Sequence, residues 1–160
     1  MMLDESDIRT HDKRQAAIHE AGHLTVALAS GVSGRAWIFP TETEDLLEAK
    51  TWTGKFATVG CPNSPEICIA GVVAECWVED SQVEASEIVE FIEDEFVIPS
   101  PTDMKGIPVV SEKLVSTALE LLRAYKTFFD WAVAELINDE VITDGMASEY
   151  FRSVDEREGG

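Results

Sequence analysis

Polar and apolar positions between about Asp12 and Ser30-Gly31 recur with a helical period, with Ala16, Ala17, Leu24, Ala27 and Leu28 as the small or apolar contacts. Asp12 and Gln15 have the D-x-x-Q spacing of a capping box, which predicts a helix from about Asp12 and leaves residues 1–10 as a flexible N-terminus. Gly22 inside this helix costs about 1 kcal/mol relative to Ala and points to close approach by another backbone or by substrate. Two runs rich in aromatic and β-branched residues, Arg35 to Pro40 and Thr51 to Val59, predict strands. The acidic stretch Thr41 to Ala49 joins them as a loop or short helical turn, and Gly60 to Pro65 ends the sheet.

Helical spacing returns with Ile67, Ala70, Gly71, Ala74 and Val78, where Pro65 suits the first turn. Val83, Ile88, Val89, Phe91 and Ile92 then predict a more acidic amphipathic helix, and Pro99, Pro101 and Pro108 bracket a segment that is irregular or opens a short helix. From Ser111 to about Asn138 a long apolar stripe runs through Leu114, Ala118, Leu121, Leu122, Tyr125, Phe129, Ala132, Val133 and Leu136, which reads as core packing. One last helix is expected from about Thr143, before a flexible tail over 151–160. The pattern predicts an α+β fold, mainly α, with one domain over residues 11–150.

A chain of 160 residues, 45% of them hydrophobic, suits one such domain. No apolar run approaches the ~20 residues needed to span a bilayer. The acidic start Met1-Met2-Leu3-Asp4-Glu5 lacks the layout of a signal peptide, so a soluble, cytoplasmic protein is expected. Cys61, Cys68 and Cys76 are odd in number and without C-x-x-C spacing, and read as buried free thiols.

Charge narrows the partners. Against 12 Lys and Arg stand 31 Asp and Glu, and a net charge of −19 excludes direct binding to a nucleic-acid backbone. Mimicry of a nucleic-acid surface fits the charge but not the chemistry below. Glu79, Asp80, Glu84, Glu87, Glu90, Glu93, Asp94 and Glu95 fall together with no Lys or Arg among them. They read as a solvated helix face, with a dock for a basic partner or a field favouring cationic substrates as sharper alternatives. The chain has no internal repeat and no G-x-x-x-x-G-K-[ST] phosphate loop.

The chemistry sits in Ala17-Ile18-His19-Glu20-Ala21-Gly22-His23. On a helix, His19 and His23 share one face and form a two-point grip for a zinc ion, while Glu20 is placed to take a proton from a metal-bound water. A hydrolytic zinc site takes three protein ligands, and the extended H-E-x-x-H-x-x-G-x-x-H pattern fails because Val26 and Ala29 occupy its last two positions. His11, near the helix start, suits an exposed or capping role. Glu75 and Asp103 are the carboxylates to weigh as third ligand.

The His19–His23 segment resembles the zinc motif of the FtsH-type peptidases, the M41 family. Trp37-Ile38-Phe39-Pro40 and Gly54-Lys55-Phe56-Ala57-Thr58 are similar to that family's first two strands, and Ile69 to Glu75 to its "GG-x-x-A-E" helix. Ser100-Pro101-Thr102-Asp103 resembles its Ser-x-x-Asp segment, and Phe129 to Met146 its closing helix pair. The likeness runs from about His11 to Tyr150 in the family's order. It implies a zincin-like peptidase domain with His19, His23 and Asp103 as zinc ligands, Glu20 as general base, and Glu75 as a supporting carboxylate or alternative ligand. It also implies that an unfolded protein or peptide lies along an edge strand formed by Lys55, Phe56, Ala57, Thr58 and Val59.

The chain departs from the family in three ways. The 160 residues hold no ATPase or membrane part, so a free-standing peptidase domain is expected, with an ATPase or a basic protein acting in trans if one is needed. Its segment between Glu75 and Asp103 is longer, mostly through the acidic helix, and its ligand turn is Pro-Thr-Asp in place of Asn-Asp. A binding or regulatory module that uses the acidic surface to dock a basic partner is the alternative to an enzyme.

Overall fold

A computed structural model describes residues 4–42, 50–60, 63–107 and 109–159, with side chains through residue 154. The chain is mainly helical, with one small antiparallel sheet. Its centre is helix α1 (Glu5–Ala29), in which every residue from Ala17 to Leu28 except His19 is buried. Such all-round burial requires neighbours on every side. Helices α2 (Pro65–Glu79), α5 (Glu112–Ala124) and α6 (Lys126–Asp139) supply them, with strands β1 (Ser33–Pro40) and β2 (Trp52–Val59).

Helix α1 begins about two turns before the predicted start. Asp4 is its cap, accepting from the Asp7 N–H at 2.8 Å. Asp12 does not cap the helix but makes a tertiary contact, its Oδ2 accepting from both the N–H and the hydroxyl of buried Thr51, each at 2.8 Å. That carboxylate ties the start of β2 to the helix, and Lys13 beside it lies 4.7 Å above the Trp52 ring.

β1 pairs with β2 in register from Ser33↔Val59 to Pro40↔Trp52, and on its other side with the two-residue β3 (Val141–Ile142), giving the order β2-β1-β3. Gly34, Ala36 and Ile38 are buried while Ser33, Arg35 and Phe39 are exposed, the period-2 pattern of a sheet covered on one face. The acidic connection at 43–49 lies outside the described residues.

Pro65 opens α2 as predicted, behind a Ser64 cap. α2 crosses α1 closely at Gly22, where a Cβ would lie 2.6 Å from Ala74 Cβ and 2.7 Å from the Ala70 carbonyl oxygen. Of the two explanations for this glycine, approach by another backbone is the one that holds. The acidic helix is α3 (Ala85–Glu93), with Ile88 buried and Glu84, Glu87 and Glu90 exposed. The proline-bracketed segment forms α4 (Pro101–Lys105).

The long stripe after Ser111 is two helices, not one. The break is Tyr125, at φ −112° and ψ 35°, because the stripe serves two partners: α5 packs chiefly on α2 and α3, whereas α6 packs chiefly on α1. Helix α7 (Asp144–Gly159) then closes over α6, with Trp131 stacked on Tyr150 at 4.3 Å. Residues 5–10 and 151–159, expected as flexible ends, are helical. Cys68 and Cys76 are buried free thiols as predicted, and Cys61 lies outside the described residues.

Candidate metal centre

His19 and His23 stand one turn apart on α1, and their Nε2 atoms lie 3.1 Å from each other. Asp103 reaches the same point from α4, its Oδ2 3.1 Å from His19 Nε2 and 3.4 Å from His23 Nε2. These three atoms form a near-equilateral triangle. A tetrahedral divalent ion with bonds of about 2.0–2.1 Å requires ligand atoms about 3.3 Å apart, so the donor set matches one face of that tetrahedron.

Each donor is held from behind. The Ile67 carbonyl can only accept, so His23 Nδ1 donates to it, at 2.6 Å, and the lone pair of His23 is left on Nε2 at the centre. His19 Nδ1 is 3.3 Å from Glu75 Oε2, an imidazole–carboxylate pair of the kind that orients metal-ligating histidines. The His23 ring also stacks on Phe56 of β2, centroids 5.4 Å apart. Asp103 is placed by the ends of its own short helix. Ser100 Oγ caps α4 by accepting from the Asp103 N–H at 3.1 Å, which gives the Ser-x-x-Asp spacing a physical reason. Gly106 ends α4 against Cys68 of α2, where any Cβ would overlap the Sγ atom.

Glu20, next to His19 on α1, also lies at the centre. One ligand atom from each of His19, Glu20 and His23 lies within 4.8 Å of the others, a group that could hold a metal ion. Both histidines pair with Asp103, and neither forms an ion pair with Glu20 among the described residues. Glu20 is 6% exposed and lies under Gly54 of β2, whose missing side chain leaves the space that the carboxylate fills. Gly71 of α2 gives way to His19 in the same manner: a Cβ there would lie 2.5 Å from the ring.

The electrostatics favour a cation. Burial opposes charge on His19, but its hydrogen bonds to Asp103 and Glu75 and the nearby charge of Glu20 prevail, raising its pKa to about 10. Burial likewise opposes charge on Asp103, and the hydrogen bonds from His19 and His23 overcome it, holding its carboxyl well below the usual range. In the metal-free protein a proton on His19 thus stands where a metal cation would. Burial raises the pKa of Glu20 against the pull of both histidines, which suits a group that takes up and returns a proton. Burial also pushes Cys76 up to about 11 and raises Cys68, so both are neutral thiols near pH 7 rather than ligands or nucleophiles.

The structure thus brings His19, Glu20, His23, Glu75 and Asp103 together, and His11 is exposed on the outer part of α1. β2 is the outer strand of the sheet, as expected, but its site-facing residues are Gly54 and Phe56. Lys55 is exposed on the alternate face, and Val59 is exposed at the strand's far end. Sequence reasoning missed Gly54, Gly71, the Ile67 carbonyl and the Asp12–Thr51 tie. A glycine inside a strand marks close approach and could have flagged Gly54, whereas a backbone carbonyl leaves no signal. No protein-family model matches the chain, and none of the curated proteins compared with it matches either.

Proposed function

We propose that this chain is a zinc metallopeptidase of the FtsH (M41) type that hydrolyses peptide bonds in unfolded proteins or peptides. The observation that carries the reading is the donor triangle of His19, His23 and Asp103 with a Glu20 oxygen within 4.8 Å of both histidines. Two imidazoles and a carboxylate at these spacings suit zinc, with a fourth position left open. Zinc bound there would bring the pKa of its water near 7 and supply positive charge for a developing oxyanion.

The chain's own residues do the rest. Glu20 takes the proton of the attacking water at its carboxylate and passes it to the leaving amine, and its burial keeps the proton from bulk solvent. Glu75 holds the His19 ring in position through Nδ1, and the Ile67 carbonyl does so for His23. β2 offers the outer edge of the sheet to an extended chain, and Gly54 makes room for the Glu20 carboxylate beside that edge.

The test is cleavage of an unfolded protein such as casein by zinc-loaded protein. Glu20→Gln should keep stoichiometric zinc and lose turnover by at least about 100-fold, the usual scale for a general base. His19→Ala and His23→Ala should lose the metal as well. Wild-type cleavage by the Glu20→Gln variant would exclude the mechanism, and protein purified without chelator that carries no zinc would favour the binding-module alternative.

A further inference from the structure

A cavity of about 640 Å³ lies between α2 and the segment that follows α3, within the size range of ligand pockets. Of the residues gathered at the metal centre only Glu75 lines it, on the Nδ1 side of His19 away from the donors. An occupant of the cavity therefore need not approach the donor triangle.

The wall of the cavity is held so as to face outward. Phe96 and Ile98 line it while 79% and 74% exposed, more than any other large apolar side chain among the described residues. Backbone bonds fix this segment: the N–H groups of Phe96 and Val97 both donate to the Phe91 carbonyl, at 2.9 and 3.2 Å, and the Phe96 ring meets the Phe91 ring edge-on. Glu95, which turns the chain into it, sits at φ 60°, a left-handed conformation that is unfavourable for any residue with a Cβ. On the other side of α3, Arg123 of α5 donates to the Ser81 and Val83 carbonyls at 3.2 and 2.7 Å and so pins the loop between α2 and α3. A fixed pair of exposed apolar side chains beside buried Val83 is stabilised when an apolar group covers it.

Charge and backbone chemistry define what does so. Exposed Glu79 and Asp80 line the cavity, Glu84, Glu87, Glu90 and Glu93 are exposed on adjoining α3, and residues 79–95 contain no Lys or Arg. Lys50 is the single cation lining the cavity among the described residues, so an approaching positive charge is attracted and a negative one repelled. None of the lining residues lies in a strand, which leaves an extended chain no edge to pair with. A helix satisfies its own backbone and enters such a groove by its side chains alone.

We propose that this cavity docks a basic amphipathic helix of another protein, with apolar side chains one turn apart entering between Val83, Phe96 and Ile98 and with Lys or Arg facing Glu79, Asp80 and the outer face of α3. The docking site is independent of the chemistry at the metal centre.

Fluorescein-labelled peptides of about 15 residues, long enough to form a helix on binding, serve as probes. One carries Leu along a single helical face and Lys elsewhere, a second replaces its Leu by Gln, and a third replaces its Lys by Glu. Anisotropy is read on the full chain carrying Glu20→Gln, so that no probe is cut. The Leu–Lys probe should bind, more weakly as salt is added, and the Gln–Lys probe should bind at least about tenfold less tightly because it buries no apolar side chain. The Leu–Glu probe should not bind. Phe96→Ser combined with Ile98→Ser, at positions too exposed to matter for folding, should weaken the Leu–Lys probe by about tenfold or more. Glu79→Gln combined with Asp80→Asn should weaken it severalfold, whereas Asp144→Asn combined with Glu149→Gln, the same loss of charge on α7, should leave it nearly unchanged. No binding, equal binding of the Leu–Lys and Gln–Lys probes, or binding that survives the Phe96 and Ile98 substitutions overturns the proposal. So does equal weakening by the two charge pairs, since attraction to net charge alone then accounts for the binding. A wild-type dimer in sedimentation that the Phe96 and Ile98 substitutions make monomeric would assign the cavity to a second copy of this chain, which also overturns it.

Discussion

Gly71→Ala should separate the stability of this fold from its ability to hold zinc. The new Cβ would lie 2.5 Å from His19 Nε2 and Cε1, whereas relaxed contacts between such atoms are about 3.5 Å, so the ring must withdraw by about 1 Å. Withdrawal of α2 instead would give up the close packing of Ala70 and Ala74 on α1 at Gly22. A metal site tolerates errors of about 0.2 Å in ligand distance, and the donor triangle, with edges of 3.1 to 3.4 Å, is then lost. Zinc affinity should fall by at least the 10–100-fold seen when a supporting residue is removed. The metal-free protein should change little. Ala in a helix interior gains up to about 1 kcal/mol over Gly, which offsets part of the 1–3 kcal/mol that overpacking costs. Chelator competition gives the affinity, and thermal melts of the metal-free protein give the stability. A Gly71→Ala protein that binds zinc within threefold of wild type would refute the argument.

Asp103→Asn and Glu75→Gln decide which carboxylate is the ligand. Asp103→Asn should abolish stoichiometric zinc, and Glu75→Gln should weaken it by about 10–100-fold, both read by metal analysis and competition; the reverse order would make Glu75 the ligand. Metal-free stability should fall as pH rises from about 6.5 to 10. With its pKa raised from 6.5 to about 10, His19 keeps its proton in the folded state where the unfolded chain has lost it. Cys76, raised to about 11, adds to the same trend above about pH 9. Melting temperatures measured in chelator across that range check this, and a rise with pH would contradict it. Removing zinc with chelator should lower the melting temperature of loaded protein, since about 2.7 kcal/mol of stabilisation accompanies an ion at 100 times its Kd.

Much of the site was legible because its chemistry is local. The spacing of His19 and His23 needs only a helix, and the Pro65 and Ser100-Pro101 signals place the starts of α2 and α4. Asp103 could be put ahead of Glu75 only by resemblance, because 80 residues separate it from His23 and no periodicity spans such a gap. The misread elements failed for tertiary reasons. Asp12 has the spacing of a cap, yet a long-range tie to Thr51 claimed its carboxylate. The stripe after Ser111 is continuous in sequence but divides between two sets of neighbours, and Tyr125 marks the division only in three dimensions.

Three glycines carry the construction of this centre, and each reduces the stability of the element that holds it. Gly22 and Gly71 interrupt helices at about 1 kcal/mol each relative to Ala, and Gly54 weakens an edge strand that has a neighbour on one side only among the described residues. Gly22 returns its cost through the close packing of α1 and α2, since that approach brings Glu75 within reach of His19. The other two make no comparable packing gain, because the groups beneath them are a buried carboxylate and a polar ring. Folding alone therefore gives no reason for Gly54 and Gly71, whereas a centre that seats the Glu20 carboxylate and the His19 ring against these two backbones requires both.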